Sequence, residues 1–243
     1  MAGTTSYVSQ IANMAVVSPT DANFLIVLPQ MITYAENRMY RDLDFLVTSD
    51  ALTFPLTAGL RNLDLSGGSN QFPFVVSEQI NIITPSTETD PDSANATRNP
   101  CIPVTKEYLD QVYGSSAPAN RGVPQYFVPF NDNLFFLGPT PDAAYTAEVV
   151  GTIRPASLSS TNLTTFISLY LPDLFIAASM IYVSAFQRNF SSASANDPQM
   201  PVTWETQYKT LLQSAMVEEA RKKFEGAAWS SKGPATAASP SRG

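Results

Sequence analysis

The first fifth of the chain carries apolar residues at three- and four-residue spacing, which is the pattern of a helix with one packed face. The pattern is strongest from Pro29 to Leu46, and proline is favoured in the first turn of a helix. A shorter helix is predicted over residues 4–16, and Ser18 or Thr20 is expected to cap a brief helix that Pro29 interrupts. The apolar stripe of the long helix consists of Ile32, Ala35, Met39, Leu43 and Leu46.

The period changes after Thr48, where short aromatic and β-branched segments alternate with turn residues. Residues 131–133 are predicted to join two of these strands as a hairpin, and a short helix is predicted after Thr105. Prolines inside several segments favour edge or irregular strands, and residues 85–100 are expected to form an exposed loop. The predicted strands lie within 51–56, 72–84, 123–130, 134–138 and 144–155.

A mostly apolar segment, "YLPDLFIAASMIYVSAFQRNF", begins the helical C-terminal third and has no charge from Leu174 to Phe186. It could enter a membrane, fill a domain core or pack against another copy of the chain. A membrane span needs about 20 apolar residues, and this run is shorter and contains Ser179 and Ser184. A buried helix that begins at Pro172 is therefore predicted, while the share covered by a neighbouring subunit stays open.

The last predicted helix runs from about Pro201 to Glu225, with Gly226 as its stop. Together these elements predict an α+β fold, in which N-terminal and C-terminal helices form a bundle around a β-rich insertion. The expected domains are the N-terminal helices (1–48), the β-rich insertion (49–156), the C-terminal helices (157–225) and an extended tail (226–243). Packing within the bundle or between subunits is assigned to Met39, Leu43, Leu174, Ile181, Trp204, Tyr208 and Leu211.

Composition favours an assembly component over an enzyme. Charged residues make up 14% of the chain, against about 25% in typical soluble domains. The net charge of −7 argues against nonspecific nucleic-acid binding, which needs clustered lysine and arginine. The chain has no histidine, so Ser-His-Asp chemistry and the common zinc sites are excluded, and its single Cys101 has no histidine base.

Carboxylates are the remaining candidates for acid–base or metal chemistry. Glu36, Asp42, Glu78 and Asp110 could act as acids or bases, but no paired motif surrounds them. The acidic stretch at 88–92 lacks the glycine and the distal glutamate of a calcium loop. No catalytic residue, cofactor or metal is therefore expected.

Three phrases of the sequence, in this order, resemble one known family. They are "FLIVLPQMITYAENRMYRDLDFL", then "GVPQYFVPFNDNLFFLGPTPDAAYTAEVVGTIRPASLSSTN", then "YLPDLFIAASMIYVSAF" followed by "WETQYKTLL". The first carries an "AE" pair followed by an arginine and an Arg-Asp-Leu, and the last two look like a closing pair of helices. Over residues 5–225 the chain resembles the head–tail adaptor (connector) proteins of tailed bacteriophages, especially short-tailed ones.

The resemblance implies a ring, normally of twelve copies, in the virion neck beneath the portal protein. Such a ring continues the DNA channel without sequence-specific binding, attaches the tail or nozzle, and involves no membrane. It would be made in the cytoplasm of the host bacterium. The C-terminal segment commonly reaches the portal, which assigns portal contacts to Trp229, Lys232 and Arg242 and, at the end of the last helix, to Arg221, Lys222 and Lys223.

Two other functions stay open at this stage. A tail-completion or nozzle-side protein of the virion also forms rings, although the helix–β–helix order favours the adaptor. A virion-associated hydrolase would have to rely on the unpaired carboxylates named above.

Overall fold

The computed structural model describes residues 4–66, 73–187 and 200–227. Six α-helices and two β-sheets in these residues make an α+β fold, with helices towards both ends of the chain as predicted. The chain divides into two compact units. The helical unit comprises Met1–Val47 and Pro155–Gly243, and the β-rich unit comprises Thr48–Arg154. The predicted tail from residue 228 onwards lies outside the described residues.

The helical unit is organised around one apolar helix, α5, which contacts α1, α2 and α6. The uncharged segment from 174 onwards lies in α5, and most of its side chains are buried, as predicted for a helix covered on several sides. Tyr7 of α1 stacks on Phe175 with ring centroids 4.4 Å apart and donates a 3.0 Å hydrogen bond to its carbonyl. The helices of this unit are α1 (Thr4–Met14), α2 (Ala22–Asp42), α4 (Phe166–Tyr170), α5 (Pro172–Gln187) and α6 (Met200–Ala227).

Three predictions for the second helix are wrong, namely its break, its cap and its end. Pro29 does not interrupt the second helix but lies inside α2. The cap of α2 is Asp21, not Ser18 or Thr20, and its carboxylate accepts a 2.8 Å hydrogen bond from the Phe24 amide. A proline costs a helix about 3 kcal/mol, but a continuous α2 buries one face along its whole length. Because α2 ends at Asp42, Leu46 leaves the stripe and is half exposed.

The end of α6 also differs from the prediction. Gly226 was expected to stop the last helix, but α6 includes it and continues to Ala227. A glycine inside a helix costs only about 1 kcal/mol relative to alanine, so its presence alone does not show where a helix ends.

The β-rich unit holds two four-stranded sheets and one helix, α3 (Lys106–Tyr113). One sheet has the order β1-β8-β3-β4 and is antiparallel, and the other has the order β2-β7-β6-β5 with a parallel β5–β6 pair. The inner side chains of both sheets form one apolar core. The strands are β1 (Ser49–Pro55), β2 (Asn62–Asp64), β3 (Val76–Thr84), β4 (Thr97–Pro100), β5 (Ile102–Pro103), β6 (Tyr126–Pro129), β7 (Leu134–Gly138) and β8 (Thr146–Thr152).

The five predicted strands and the hairpin at 131–133 are present, and α3 begins after its Thr105 cap as predicted. The loop predicted at 85–100 is partly wrong, because its last four residues form β4 against β3. β4 has the sequence TRNP, which shows no alternation of apolar residues, so its pairing depends on β3 and not on its own pattern. The short strands β2 and β5 were also not predicted.

The turn between α1 and α2 holds a strained residue. Val16 has φ = 55° and is 91% exposed. The amides of Val16 and Val17 donate to the carbonyls of Asn13 and Ala12, which is the pattern of a Schellman helix end. That position favours glycine because a β-branched side chain is unfavourable in the left-handed region.

Replacing this residue is expected to stabilise the protein. Val16→Gly should raise the free energy of unfolding by roughly 1 kcal/mol, since relief of the left-handed valine outweighs the extra entropy of an unfolded glycine. Chemical denaturation measures the change. Val17→Gly is the matched control, because Val17 packs on the helical core and its replacement should destabilise the protein. A loss of stability in Val16→Gly would contradict the expected strain.

Candidate functional site

A charged cluster joins α2 to α6. Arg38 donates two hydrogen bonds to the carboxylate of Glu205, at 2.8 and 2.7 Å, and its guanidinium lies 4.4 Å from the ring centre of Tyr208. Tyr208 in turn donates a 2.8 Å hydrogen bond to Asp42, which also forms an ion pair with Arg38 at 3.4 Å. Both side chains of the Arg38–Glu205 pair are mostly shielded from solvent. This Arg38 cluster fixes how the two helices align.

Ionisation in the Arg38 cluster follows from these contacts. The hydrogen bonds from Arg38 lower the pKa of Glu205. Burial and the hydrogen bond to Asp42 raise the pKa of Tyr208 well above its ordinary value. Glu205 is therefore ionised and Tyr208 protonated at neutral pH.

A second polar contact lies on the buried face of α2. Glu36 is fully buried and accepts hydrogen bonds from the amide of Leu158, at 3.1 and 3.2 Å, and from the hydroxyl of Thr165 at 3.3 Å. Burial raises the pKa of Glu36, while hydrogen bonds from Ser157, Leu158 and Thr165 oppose the shift. The carboxylate ties the segment that precedes α4 to α2.

A third contact occupies the C-terminal half of α6. Glu219 is buried, forms a 2.6 Å ion pair with Lys222 and accepts a 3.4 Å hydrogen bond from the amide of Leu46. Lys222 also pairs with Glu218 at 3.2 Å and lies 5.0 Å from the ring centre of Phe166. The ammonium group of Lys222 is thus paired with carboxylates of its own chain.

The β-rich unit has its own buried charge. Glu148 of β8 accepts hydrogen bonds from Arg98 at 3.0 Å and from Asn81 at 2.8 Å. Arg98 also pairs with Asp92 at 2.6 Å, so it links the acidic stretch at 88–92 to the sheet. Asp92 therefore serves in an ion pair.

The groups considered for catalysis occupy structural environments. Burial raises the pKa of the Cys101 thiol to about 12, which keeps it protonated and weakly nucleophilic. Asp110 pairs with Arg61 and Lys106, and these contacts lower its pKa. In the part of the chain that the structure describes, no group of three or more cysteine and carboxylate side chains could hold a metal ion. None of the described helices is long and apolar enough to cross a membrane.

The residues assigned to packing all lie in one apolar cluster of the helical unit. Four of them are buried in it, namely Met39, Leu43, Leu174 and Tyr208. Three are partly buried and pack against it, namely Ile181, Trp204 and Leu211. Whether any of them also contacts a neighbouring subunit stays a prediction.

Only some of the residues assigned to portal contact lie within the described part of the structure. Arg221 is exposed on α6, and Lys222 is half-buried beside it. Lys223 belongs to α6, but its side chain lies outside the described part of the structure. Trp229, Lys232 and Arg242 lie outside the described residues altogether.

Sequence reasoning considered Glu36 only as an unpaired acid or base, and it did not predict the buried contacts of Glu36 and Glu219 or the pairing of Glu205 with Arg38. A signal for Glu36 was available, because it lies four residues after Ile32 and three before Met39 and so falls on the apolar stripe of its own helix. A carboxylate in that position must find hydrogen-bond donors in the core. No comparable signal pairs Glu205 with Arg38, which is 167 residues away.

The Arg38 cluster is expected to contribute measurably to stability. Arg38→Lys removes the two-pronged bond to Glu205 and the stacking on Tyr208, and should lower the free energy of unfolding by about 1–2 kcal/mol. Chemical denaturation measures the loss. Lys209→Gln is the matched control, since Lys209 pairs with the same carboxylate at 3.3 Å but is exposed, and its loss should cost less than about 0.5 kcal/mol. Equal losses would show that the geometry of the arginine does not matter.

Glu36 should leave a signature in the pH dependence of stability. The pKa of Glu36 is raised in the folded state, so the folded protein binds this proton more readily than the unfolded chain does. The free energy of unfolding therefore falls as the pH rises above 4.5, the pKa of this carboxyl in the unfolded chain. The melting temperature of the wild type minus that of Glu36→Gln should therefore decrease from pH 4 towards pH 7. Glu205→Gln is the control with the opposite sign, because Arg38 lowers the pKa of Glu205 and that contribution is lost as pH falls. A Glu36→Gln difference that rises with pH would contradict the raised pKa.

One known family matches most of the chain. None of the curated proteins compared with the chain matches it. Residues 8–236 match the model of a family described as SU10 adaptor protein, and this span includes the Arg38 cluster, the Glu36 contact and the whole β-rich unit. The resemblance read from the sequence is thereby confirmed: the chain belongs to the SU10 adaptor protein family, a family of phage head–tail adaptors.

Proposed function

We propose that the protein is a structural head-to-tail adaptor whose copies form a closed ring, normally of twelve, beneath the portal in the virion neck. The observation that carries this proposal is the family match over residues 8–236. The ring continues the DNA channel and attaches the tail or nozzle. Membership also supports a structural, non-enzymatic role, in keeping with the paired carboxylates and the protonated thiol described above.

The distribution of charge supports a channel that does not retain DNA. The β-rich unit contains eleven acidic and five basic residues, and the helical unit contains ten acidic and nine basic residues. Their net charges are therefore −6 and −1, so the acidity of the chain is concentrated in the β-rich unit. Acidic surfaces repel phosphates, and a nearly neutral surface holds no excess of cations to bind them.

Portal docking is proposed for the C-terminal part of the chain, from the end of α6 through residues 226–243. Arg221 is exposed and its side chain is available to a partner, whereas Lys222 is held by Glu218 and Glu219. We therefore assign Arg221 the direct contact at the helix end and Lys222 a supporting role. Trp229, Lys232, Arg242 and Lys223 complete the proposed contact.

The proposed function is tested by the native mass of the full chain, measured alone and with the portal protein of the same phage. A ring mass and a stable complex with portal are expected. Removal of residues 228–243, or Arg221→Glu, should weaken portal binding at least tenfold and leave the melting temperature of the chain nearly unchanged.

Lys209→Glu is the matched control, because Lys209 is an exposed cation on the same helix, about 18 Å from Arg221 along α6. Its portal affinity should stay close to that of the wild type. A chain that stays monomeric and does not bind portal at high concentration contradicts the adaptor function. Unchanged docking by the shortened chain contradicts the docking role of the C-terminal segment alone.

A further inference from the structure

The chain passes between its two units at two places. The entry segment, residues 43–48, runs from the end of α2 to β1, and the exit segment, residues 153–165, runs from the end of β8 to α4. The two segments are bonded to each other where they meet the sheet, because the Ile153 amide donates to the Thr48 carbonyl at 2.7 Å. This bond continues the β1–β8 ladder, so the two segments join the sheet as one antiparallel pair.

Each segment has an apolar anchor in the core of the helical unit. Phe45 of the entry segment is buried and packs edge-on against Tyr40 and Phe166, with ring centroids 5.7 and 5.8 Å apart. Leu158 of the exit segment is buried in the same core. Apolar burial is non-directional, so these anchors keep the segments in the core but leave them able to slide and rotate.

A buried carboxylate holds a backbone amide beside each anchor. Glu219 of α6 accepts a hydrogen bond from the amide of Leu46 at 3.4 Å, and Glu36 of α2 accepts from the amide of Leu158 at 3.1 and 3.2 Å. The exposed fractions of Glu219 and Glu36 are 4% and 0%, so little water reaches either carboxylate to compete for these bonds. A hydrogen bond to a charged group has a preferred direction, and each carboxylate therefore supplies the orientation that the apolar anchor lacks.

The stretches between the held amides and the sheet are short and exposed. Val47 directly follows Leu46, and Arg154 lies four residues before Leu158. Val47 and Arg154 stand at the two boundaries between the units, and both are exposed. Hinges are commonly a few residues at the ends of elements that absorb changes in φ and ψ. The chain thus has two adjacent hinge points, and a carboxylate holds the helical side of each.

We propose that Glu36 and Glu219 are positioning residues that hold the two hinge points fixed, and that the β-rich unit moves as one body when both hydrogen bonds open. The bond between Thr48 and Ile153 makes the two hinge points act together, so either carboxylate alone still restrains the pair. Loss of both is therefore expected to exceed the sum of the two single losses. The proposal concerns the single chain and does not depend on ring formation or on portal binding.

Methionine and glutamine variants separate the hydrogen bonds from the packing. Glu36→Met and Glu219→Met, alone and together, fill the buried space with an unbranched side chain that accepts hydrogen bonds only weakly. Glu36→Gln and Glu219→Gln keep one acceptor oxygen each and are the conservative rescue. Glu218→Met is the matched control, because Glu218 precedes Glu219 and pairs with the same Lys222 but is exposed.

Single-molecule fluorescence energy transfer in the full chain measures the distance between the two units. Dyes are attached at Gln111→Cys on α3 and Ser214→Cys on α6, two exposed positions, whereas the buried, protonated Cys101 reacts far more slowly. The labelled chain is diluted into excess unlabelled chain of the same variant, so that an assembly contains at most one labelled copy.

The double methionine variant should widen the distribution of distances roughly twofold or more, and by more than the two single variants combined. The glutamine variants and Glu218→Met should keep the width of the wild type. An unchanged width in the double methionine variant overturns the proposal. Glutamine variants or a Glu218→Met control that widen the distribution as much as the double methionine variant also overturn it, because the buried acceptors would then not be the cause.

Hydrogen exchange of the wild type adds a test that needs no variant to fold. Mass spectrometry with fragmentation should find that the amides of Leu46 and Leu158 exchange at least about a hundredfold more slowly than in an unfolded chain. Each should exchange about tenfold faster in the methionine variant of its own glutamate. Exchange of both wild-type amides at the unfolded rate, or a wild-type distance distribution as wide as that of the double variant, overturns the proposal.

Discussion

The burial of α5 is the constraint on which the helical unit depends. This helix has almost no polar side, so water must be excluded from most of its circumference. α2 and α6 supply much of the cover, and Tyr7 of α1 closes over Phe175 and hydrogen-bonds Ser179 at 2.7 Å. Apolar burial is non-directional, so it stabilises this arrangement without fixing the helices along their axes. The Arg38 cluster supplies that direction, because a two-pronged ion pair forms at only one alignment.

Much of this fold could be predicted because local pattern and tertiary environment agree. The lack of charge after Leu174 predicts a buried helix, and β-branched residues predict strands such as β3 and β8. The prediction fails where the two disagree. Pro29 should end a helix by local rules, yet the buried stripe of α2 continues past it. β4 has no strand pattern in its sequence and forms a strand because it pairs with the edge of β3.

The charged clusters show a different limit of sequence reasoning. The hydrogen-bond donors of the buried carboxylates are far away in the chain, as in the Leu158 amide with Glu36 or Arg98 with Glu148. Periodicity identifies which side chain is buried but not which donor it meets. The phrase that carries the family resemblance, "AENRMYRDL", includes Glu36, Arg38, Asp42 and Leu43, and the structure uses all four inside the chain. The residues of this phrase therefore hold the helices of this chain together.

The way the β-rich unit begins and ends has a consequence for how such proteins diversify. Its first and last segments are partners in one ladder, with Ser49 opposite Thr152 and the Ile153 amide donating to the Thr48 carbonyl at 2.7 Å. The polypeptide therefore leaves and re-enters the helical unit through two adjacent points. The entropy of closing a loop grows only slowly with its length once its ends are held together. Residues between these two points can therefore be added or removed at little entropic cost to folding.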